Sequence, residues 1–386
     1  MEHIVYLDNN ATTMVAPEVF EAMLPYFSER YGNPSSLHSF GGNVARDIEQ
    51  ARARVAHLIG AHPEEIVFTG CGTESDSTAI RSALDQLPDK RHIITSAVEH
   101  PAILGLCGYL QKRGYQVTYL QIDEIGQIDL DELRETITDN TAIVSIMHAN
   151  NESGIVFPLH EIAEIVKEKG CLFHTDAVQS TGKLPLDMSQ TPVDFLSMSG
   201  HKLHAPKGIG GLFVRRGTPY TPLLIGGHQE SDKRAGTENV TAMIGFGKAA
   251  ELAAADLPRE GFKLQAMRDR LQDGLLTRCK DVLVNGAASP RLPNTLSVSF
   301  GYVEGESIVL LLDEQGICVS TGSACSSGSL DISHVVKCLG VPSTHAHGTI
   351  RFSLSRYTTD DEIDYALEHM ERIIDRLRAL SPFGRE

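Results

Sequence analysis

The feature that most limits the fold is an alternation of short apolar runs with amphipathic helical segments. Between positions 43 and 59, apolar residues from Val44 to Leu58 recur three or four positions apart, which is typical of a helix. Strand patterns follow at 65–70, 92–97, 116–122, 141–149 and 171–177, and helical patterns at 73–87, 102–113 and 159–169. Because parallel strands need helical crossovers, this order predicts an α/β fold with a mostly parallel sheet covered by helices on both faces.

The pattern changes near residue 256. A long amphipathic helix is predicted at 262–278, and it is followed by strand patterns at 282–286, 295–300, 317–322 and 349–355 and helical patterns at 308–314 and 360–378. This order is typical of a smaller α+β domain. A chain of 386 residues allows two or three domains of roughly 150 residues each. We predict a large domain at 13–257 and a small domain made of 1–12 and 258–386.

Charge and cysteine content exclude several classes of protein. The formal net charge of -16 is spread along the chain without a basic block, which argues against nucleic acid and anionic membrane as partners. No apolar run approaches the roughly 18 residues of a membrane span, and the N-terminus does not resemble a signal peptide, so we expect a cytoplasmic protein. The 7 cysteines are widely spaced without a CxxC pair, so neither a disulfide framework nor a metal site is predicted.

Two polar residues indicate a cofactor site. Asp176 ends an apolar strand pattern, which is where open parallel sheets place their ligand sites. Lys202 lies in the crowded turn Ser199-Gly200-His201-Lys202, where burial would lower the pKa of its amine and allow a Schiff base. A lysine with an acid for a pyridinium nitrogen is typical of pyridoxal phosphate enzymes, while a solvated lysine and a capping aspartate are the alternative.

A glycine-rich turn, Gly70-Cys71-Gly72-Thr73-Glu74-Ser75, lies between a strand pattern and a helix pattern. Glycine lets the backbone approach an anion, and a helix N-terminus offers free N–H groups to a phosphate. The same residue types also make ordinary helix caps, so the turn alone leaves both interpretations open.

Cys325 lies in STGSACSSGSLDIS, a segment rich in glycine and serine. That composition predicts an exposed loop in which a thiolate could meet a substrate, and an incidental loop thiol is the alternative. Cysteines within strand or helix patterns are expected to be core residues, namely Cys107, Cys171, Cys318 and Cys338. No role is assigned to Cys279.

His100 and Arg351 are further candidates. His100, in VEHPA, titrates near neutrality and could stack on a cofactor and move protons, although a single histidine is more often structural. Arg351 lies in the strand pattern TIRFSLS. A buried arginine needs a carboxylate partner, which is either that of a substrate or one inside the protein.

Together these segments resemble the cysteine desulfurase family within the class V aminotransferases, and the match runs essentially from end to end. The matching segments are YLDNNATT, YGNPSSLH, GCGTESDS, VEHPA, ANNESG, HTDAVQ, SGHKLHAPKG, GGHQE, RAGTEN, GSAC and HGTIRFSLSRYTT. SGHKLHAPKG and HGTIRFSLSRYTT are most similar to the nitrogen-fixation branch. The departures are mild, with Ser153 where the family more often has threonine and Gly70 where this branch often has serine.

The resemblance implies a fold type I pyridoxal phosphate enzyme that holds its cofactor as a Schiff base on Lys202. It implies that Asp176 pairs with the pyridine nitrogen and that His100 stacks on the ring as an acid–base group. Gln179 and Asn151 are expected near the phenolic oxygen of the cofactor.

The resemblance also assigns the phosphate, the substrate and the nucleophile. The phosphate is expected to contact Gly72, Thr73, Ser199 and His201. Thr237 is expected to reach the phosphate of a partner subunit, so the implied active unit is a homodimer. Asn33 and Arg351 are implied to bind the carboxylate of L-cysteine, and Cys325 is implied to be the nucleophile.

The implied reaction removes sulfur from L-cysteine, leaving L-alanine and a persulfide on Cys325. The persulfide would pass to an iron–sulfur scaffold protein, and the branch resemblance favours supply to nitrogenase. A selenocysteine lyase and a housekeeping iron–sulfur desulfurase remain alternatives. An aminotransferase is disfavoured by Cys325, and a catalytically silent assembly protein is disfavoured because the chain keeps both Lys202 and Cys325.

Overall fold

The computed structural model describes residues 4–321 and 331–380. Its strands are β1 (Val5–Tyr6), β2 (Ile66–Thr69), β3 (His92–Ser96), β4 (Gln116–Leu120), β5 (Thr141–Ser145), β6 (Leu172–Asp176), β7 (Phe195–Ser199), β8 (Gly210–Val214), β9 (Val282–Val284), β10 (Thr295–Phe300), β11 (Ile317–Cys318), β12 (Ser320–Thr321) and β13 (Thr349–Ser353). Its helices are α1 (Pro17–Met23), α2 (Pro25–Ser28), α3 (Ser39–Leu58), α4 (Gly72–Gln86), α5 (Pro101–Gln111), α6 (Leu130–Thr136), α7 (Leu159–Glu168), α8 (Val240–Arg278), α9 (Gly305–Asp313), α10 (His334–Cys338), α11 (Ser343–Ala346) and α12 (Asp360–Leu380).

The larger sheet has seven strands in the order β2-β8-β7-β6-β5-β3-β4. The five neighbours from β7 to β4 are parallel, and β8 is antiparallel to both β7 and β2. Successive residues of β7 enter different cores, since Leu196 packs in the core that contains α3 and α7 whereas Phe195 packs in the core with α4 and α5. The predicted mostly parallel sheet with helices on both faces is thereby confirmed.

A second sheet follows in the chain, as the α+β pattern predicts. It is antiparallel, with the order β12-β13-β10-β9, and its core contains the C-terminal half of α8 together with α9 and α12. The short strand β1 pairs with β11, so the N-terminal segment joins this part of the molecule.

Helix α8 is longer than the sequence pattern predicts. Pro258 lacks an N–H group and Gly261 follows it, which favours a break before 262, yet the helix continues from Val240 to Arg278. Its two ends are buried in different cores, from Ala242 in one and from Leu264 in the other, and this packing outweighs the local preference. The predicted domain boundary at 257/258 falls inside this helix and stays a prediction.

Over residues 4–321 and 331–380, no helix combines the length and the apolar character that crossing a membrane requires.

The parallel topology decides where polar side chains meet. Asp176 is the last residue of β6 and Ser199 the last of β7, while α4 and α5 begin just beyond the ends of β2 and β3. The carboxyl ends of these strands lie at one edge of the sheet, which is the usual ligand side of such folds.

Candidate active site

A cavity of about 350 Å³ lies at this carboxyl edge. The residues predicted from the sequence that line it are Gly72, Thr73, His100, Asn151, Asp176, Gln179, Ser199, His201, Lys202 and Arg351. Asn33 and Thr237 are exposed and do not line it, and Cys325 lies outside the described residues. The cavity also receives residues that the sequence patterns do not single out, among them Asn10, Ala11 and Asp76.

Lys202 ends a single 3-10 turn that begins directly after β7. The turn is tight, because a Cβ added at Gly200 would lie 2.7 Å from Cγ2 of Ile209. Lys202 Nζ donates to the backbone carbonyls of Asn10 at 2.5 Å and Ala11 at 2.7 Å. The amine is therefore held in the cavity by the N-terminal segment, through contacts between residues far apart in the chain.

Asp176 presents a buried carboxyl to the cavity. Its Oδ1 accepts a hydrogen bond from Val178 N at 2.8 Å. Burial raises the pKa of Asp176 to about 6, although the charge of Lys202 opposes the shift. A carboxylate in such a place gains strongly from a cationic partner, such as a protonated pyridine nitrogen.

A second acid, Asp76, lines the cavity near Asp176. Burial and the neighbouring charge of Asp176 raise the pKa of Asp76 well above its usual range. Its Oδ1 lies 3.6 Å from Nε2 of His174, and burial lowers the pKa of that histidine to about 3, so the ring is neutral. The surroundings therefore favour the neutral form of Asp76, while the charge of Lys202 favours the ionised form of Asp176.

His100 caps the N-terminus of α5, where its Nδ1 accepts a hydrogen bond from Ala102 N at 3.1 Å. Burial, the charge of Lys202 and that of His334 lower the pKa of His100 to about 4. The ring is therefore neutral near pH 7 and carries its proton on Nε2, because Nδ1 is the acceptor. It offers the cavity a hydrogen-bond donor rather than a positive charge.

The end of the cavity at α4 fits an anion. Cys71, the residue before the helix, supplies no side-chain hydrogen bond to the first turn within the described structure. A Cβ added at Gly72 would lie 2.8 Å from Cγ2 of Val178, so only glycine fits this close approach. Ser199 Oγ is buried and has no hydrogen-bond partner among the described residues. Free helix N–H groups beside an unpartnered hydroxyl are the donors that a phosphate needs.

His201 lies beside this anion site. Its Nδ1 is 3.1 Å from Oγ1 of Thr12. Burial and the charge of Lys202 lower the pKa of His201 to about 4. A neutral imidazole can still donate one hydrogen bond to a phosphate oxygen.

Arg351 is buried, with 3% of its surface exposed, and has a carboxylate partner within the protein. Its Nη2 lies 2.8 Å from Oδ1 of Asp8, and its Nη1 donates to the carbonyl of Asn151 at 2.9 Å. The internal ion pair left open by the sequence is therefore present. The guanidinium nevertheless lines the cavity, and its Nε has no hydrogen-bond partner in the described part of the chain.

Comparison with known proteins identifies the family of proteins to which the chain belongs. A family model for class V aminotransferases matches residues 5–366. A cysteine desulfurase of Trichormus azollae is 57% identical over 380 residues, which are 98% of this chain and 95% of that protein. The chain belongs to the cysteine desulfurase family of class V aminotransferases.

Other members of the family are similar over the same span. The cysteine desulfurase NifS of Azotobacter vinelandii is 52% identical over 380 residues, covering 98% of this chain and 94% of that protein. The solved structure of a NifS-like protein superposes with a TM-score of 0.91 at 39% identity, covering 97% of this chain and all of that one. SspA in complex with cysteine gives a TM-score of 0.81 at 36% identity, covering 92% and 99% of the two chains. The predicted family and fold are confirmed.

The cysteines of the described residues differ in how deeply they are buried. Cys107, Cys171 and Cys279 are buried, and burial raises their pKa values to about 12, 12 and 11. Cys318 and Cys338 are only half-buried, so the prediction that they are core residues is wrong in degree: each lies near the end of a short element at the edge of its core. Burial raises the pKa values of both.

Cys71 is exposed and lines the cavity, unlike the five other cysteines of the described residues. The sequence offers one signal for this, because Cys71 stands between two glycines directly before a helix. A thiol at that place is within the site and has to be tested as an alternative to Cys325.

The segment that carries Thr237 is fixed to its own chain by an ion pair and a backbone hydrogen bond, both at Glu230. Arg52 binds Glu230 through both guanidinium nitrogens at 2.6 and 2.8 Å, and Glu230 also accepts from Phe68 N at 2.7 Å. The backbone of Glu230, Ser231 and Asp232 is left-handed, with φ of 51°, 55° and 67°. Such a conformation is unfavourable for non-glycine residues and persists only where contacts hold it, as Arg52 does here.

Proposed function

We propose that this protein is a pyridoxal phosphate-dependent cysteine desulfurase that removes sulfur from L-cysteine and leaves L-alanine. The observation that carries the proposal is the meeting of Lys202, Asp176 and the unpartnered Ser199 hydroxyl in one cavity. Those groups match the aldehyde, the pyridine nitrogen and the phosphate of that cofactor. The family supplies the reaction class.

The cofactor would be held by residues already in place. Lys202 would form the Schiff base and Asp176 would pair with the pyridine nitrogen. Gly72, Thr73, Ser199 and His201 would bind the phosphate, Gln179 and Asn151 would lie near the phenolic oxygen, and His100 would stack on the ring. When bound, pyridoxal phosphate withdraws electrons from Cα of an amino acid joined to it.

Proton transfer falls to Lys202 and His100. The Lys202 amine, once released from the cofactor, would be the base that takes the proton from Cα. The carbonyls of Asn10 and Ala11 hold Nζ in the cavity for this role. We assign His100 to protonating the carbon that becomes the methyl group of alanine, for which the ring must first gain a second proton, since a neutral imidazole is too weak an acid to give up the one on Nε2.

The sulfur step is a displacement at the substrate sulfur by the Cys325 thiolate. A bond forms between the two sulfur atoms while the bond between the substrate sulfur and Cβ breaks. The electron pair of the broken bond stays with the three-carbon unit, which takes up one proton at the former Cβ, regains at Cα the proton held by Lys202, and leaves as alanine. The persulfide on Cys325 then passes to an iron–sulfur scaffold protein, and we propose that nitrogenase is its destination.

Substrate orientation depends on Arg351 and Asn33. Asp8 and the Asn151 carbonyl already hold the guanidinium of Arg351 in one position, so little side-chain entropy is lost when it meets the carboxylate of L-cysteine. Asn33 is expected to add a hydrogen bond to the same carboxylate.

A homodimer would complete the site. Thr237 is exposed on a segment that is fixed by Arg52. In a homodimer, Thr237 would reach the phosphate of the cofactor that is bound to the other copy of the chain. We place the enzyme in the cytoplasm, where the reducing thiol pool keeps an acceptor cysteine reduced.

The test compares two thiols. Purified holoenzyme receives L-cysteine and a reductant, and sulfide and alanine are assayed together for wild type, Cys325→Ala and Cys71→Ser. For wild type and for Cys71→Ser, we expect sulfide and alanine to form in equal amounts and at the same rate in both proteins. Cys325→Ala should keep the visible absorbance band of the cofactor and lose desulfuration.

Three outcomes would contradict the proposal. Normal sulfide release by Cys325→Ala would exclude Cys325 as the acceptor, and loss of activity in Cys71→Ser alone would assign that role to Cys71. A protein that turns over L-selenocysteine but not L-cysteine would instead be a selenocysteine lyase.

A further inference from the structure

The structure assigns a positioning role to Lys183: its side chain determines which end of the Gln179 amide is presented to the cavity. Lys183 does not line the cavity and has no part in the mechanism above. The inference rests on the proposed function, because it concerns how Gln179 meets the cofactor.

The contacts of the amide distinguish its two ends. Lys183 Nζ donates to Oε1 of Gln179 at 3.3 Å and to its backbone carbonyl at 3.0 Å. On the other side, Gln179 Nε2 donates to the carbonyl of Asn10 at 3.0 Å. That carbonyl also accepts from Lys202 Nζ, so the amide and the Schiff-base lysine share one acceptor.

A glutamine side chain presents an acceptor at one end and two donors at the other, and a half-turn of the amide exchanges them. An ammonium group at one end only donates, so its partner there is the carbonyl oxygen of the amide. Because Lys183 binds Oε1, the NH₂ group is turned toward Asn10, where one N–H is used and the second is left for the phenolic oxygen of the cofactor. The flipped amide would instead place Oε1 of Gln179 against the phenolic oxygen, and two acceptors cannot form a hydrogen bond.

The backbone keeps Lys183 in place. Gly182 precedes it with φ of 72°, and a Cβ at that position would lie 2.1 Å from Cδ1 of Leu203. The turn therefore requires glycine, and it sets where the Lys183 side chain begins.

The charge of Lys183 matters for this role. Burial and the positive charge of Lys202 lower the pKa of Lys183 to about 7, while the charge of Glu260 opposes the shift and that of Arg351 adds to it. Glu260 is itself paired with Arg356 at 2.6 Å. The ammonium form only donates, whereas the neutral amine can also accept, so it is the ammonium that imposes the orientation of Gln179.

The test replaces the donor while keeping the length of the side chain. Lys183→Met removes the N–H groups, Lys183→Arg keeps a donor, and Lys248→Met is a control at a lysine of α8 that is remote from the cavity. Two quantities are measured: the dissociation constant of pyridoxal phosphate for the apoprotein by calorimetry, and the pH midpoint of the visible absorbance change of the Schiff base on Lys202.

We expect Lys183→Met to bind the cofactor about tenfold more weakly, since a hydrogen bond to a charged oxygen is lost. Its pH midpoint should rise, because that hydrogen bond stabilises the phenolate most when the Schiff base is unprotonated. Lys183→Arg should restore both quantities toward wild type, and Lys248→Met should leave both unchanged.

Unchanged affinity and midpoint in Lys183→Met would overturn the inference. So would a weaker affinity that Lys183→Arg does not restore and that leaves the midpoint unchanged, since this is a purely structural effect. If Lys183→Met does not fold, Gln179→Glu serves instead, because it places an oxygen at both ends and must also raise the midpoint. A wild-type protein that binds no pyridoxal phosphate contradicts the proposed function itself, whereas normal wild-type binding with unaltered variants contradicts only the role of Lys183.

Discussion

The carboxyl edge of the large sheet and the segment at 228–239 both carry predicted site residues, yet they hold them differently. Asp176 and Ser199 are the last residues of buried strands, and only 7% and 5% of their surfaces are exposed. Thr237 is exposed, on a segment that is held by Arg52 rather than by a strand ladder.

The difference shows which part of the candidate site a single chain forms without a second copy. At the sheet edge, backbone hydrogen bonds and two cores fix each side chain, so the cavity exists within a single subunit. Thr237 and Asn33 lie outside that cavity in the single chain, and the proposed homodimer would bring Thr237 to the cavity of the partner. Changes at the sheet edge should therefore have large effects, and changes on the exposed segments small ones.

The largest effect is expected for Lys202→Ala. Loss of the amine removes both the Schiff base and the base that takes the Cα proton, so activity should fall by about a thousandfold or more. Sulfide release is the measurement, and Lys207→Ala, an exposed lysine of the neighbouring loop, is the control. Substantial activity in Lys202→Ala would contradict the role of the sheet edge.

Asp176→Asn should follow. Removing one partner of a buried ion pair costs about 3–5 kcal/mol, which corresponds to a loss of about a hundredfold or more in activity. Asp76→Asn is the matched comparison, because burial and the charge of Asp176 raise the pKa of Asp76 and favour its neutral form, which the amide resembles. Steady-state rates of the two variants should differ widely, and equal losses would show that the charge of Asp176 is not what matters.

Glu99→Gln tests what a buried acid next to His100 in the chain costs in stability. Burial raises the pKa of Glu99 from 4.5 to about 8. Between these values the unfolded chain has lost the proton that the folded protein still binds, so Glu99 makes the free energy of unfolding fall as the pH rises, by at most about 1.4 kcal/mol per pH unit.

Glu99→Gln should remove this part of the decline. Urea unfolding at pH 5.5 and 7.5 should therefore show the variant gaining stability relative to wild type at the higher pH. A constant difference between the two proteins at both pH values would mean that Glu99 is ionised in the folded state.

The smallest effect is expected for Thr237→Ala. One hydrogen bond from the Thr237 hydroxyl to the charged phosphate contributes about 1.5 kcal/mol, so binding of pyridoxal phosphate should weaken about tenfold. The melting temperature of the apoprotein should not change, because Thr237 is exposed in the single chain. A loss as large as that of Asp176→Asn would break the distinction between the two regions.

Much of the site could be predicted because strand ends can be located from apolar patterns. Asp176 follows such a run and Gly72 precedes a helical one, so a parallel sheet brings them to the same edge. The paired directions of β7 and β8 could not be predicted, since no apolar period distinguishes parallel from antiparallel neighbours.

Contacts between residues far apart in the chain could not be predicted from the sequence either. Asp8 and Arg351 are 343 positions apart, and only the pairing of the N-terminal segment with the second sheet brings them together. Lys183 is close to Gln179 in sequence, but its role depends on how the turn at Gly182 directs its side chain. Local patterns indicate which residues are polar in a buried setting, not which atoms they face.

Borohydride reduction of the holoenzyme, followed by peptide mass spectrometry, tests the central claim most directly. Reduction makes the bond between pyridoxal phosphate and its lysine permanent, so the modified residue can be identified. The account predicts that the cofactor is found on Lys202, the lysine that the carbonyls of Asn10 and Ala11 hold in the cavity. Cofactor on Lys183 or on any other lysine, or a protein that takes up none, would contradict it.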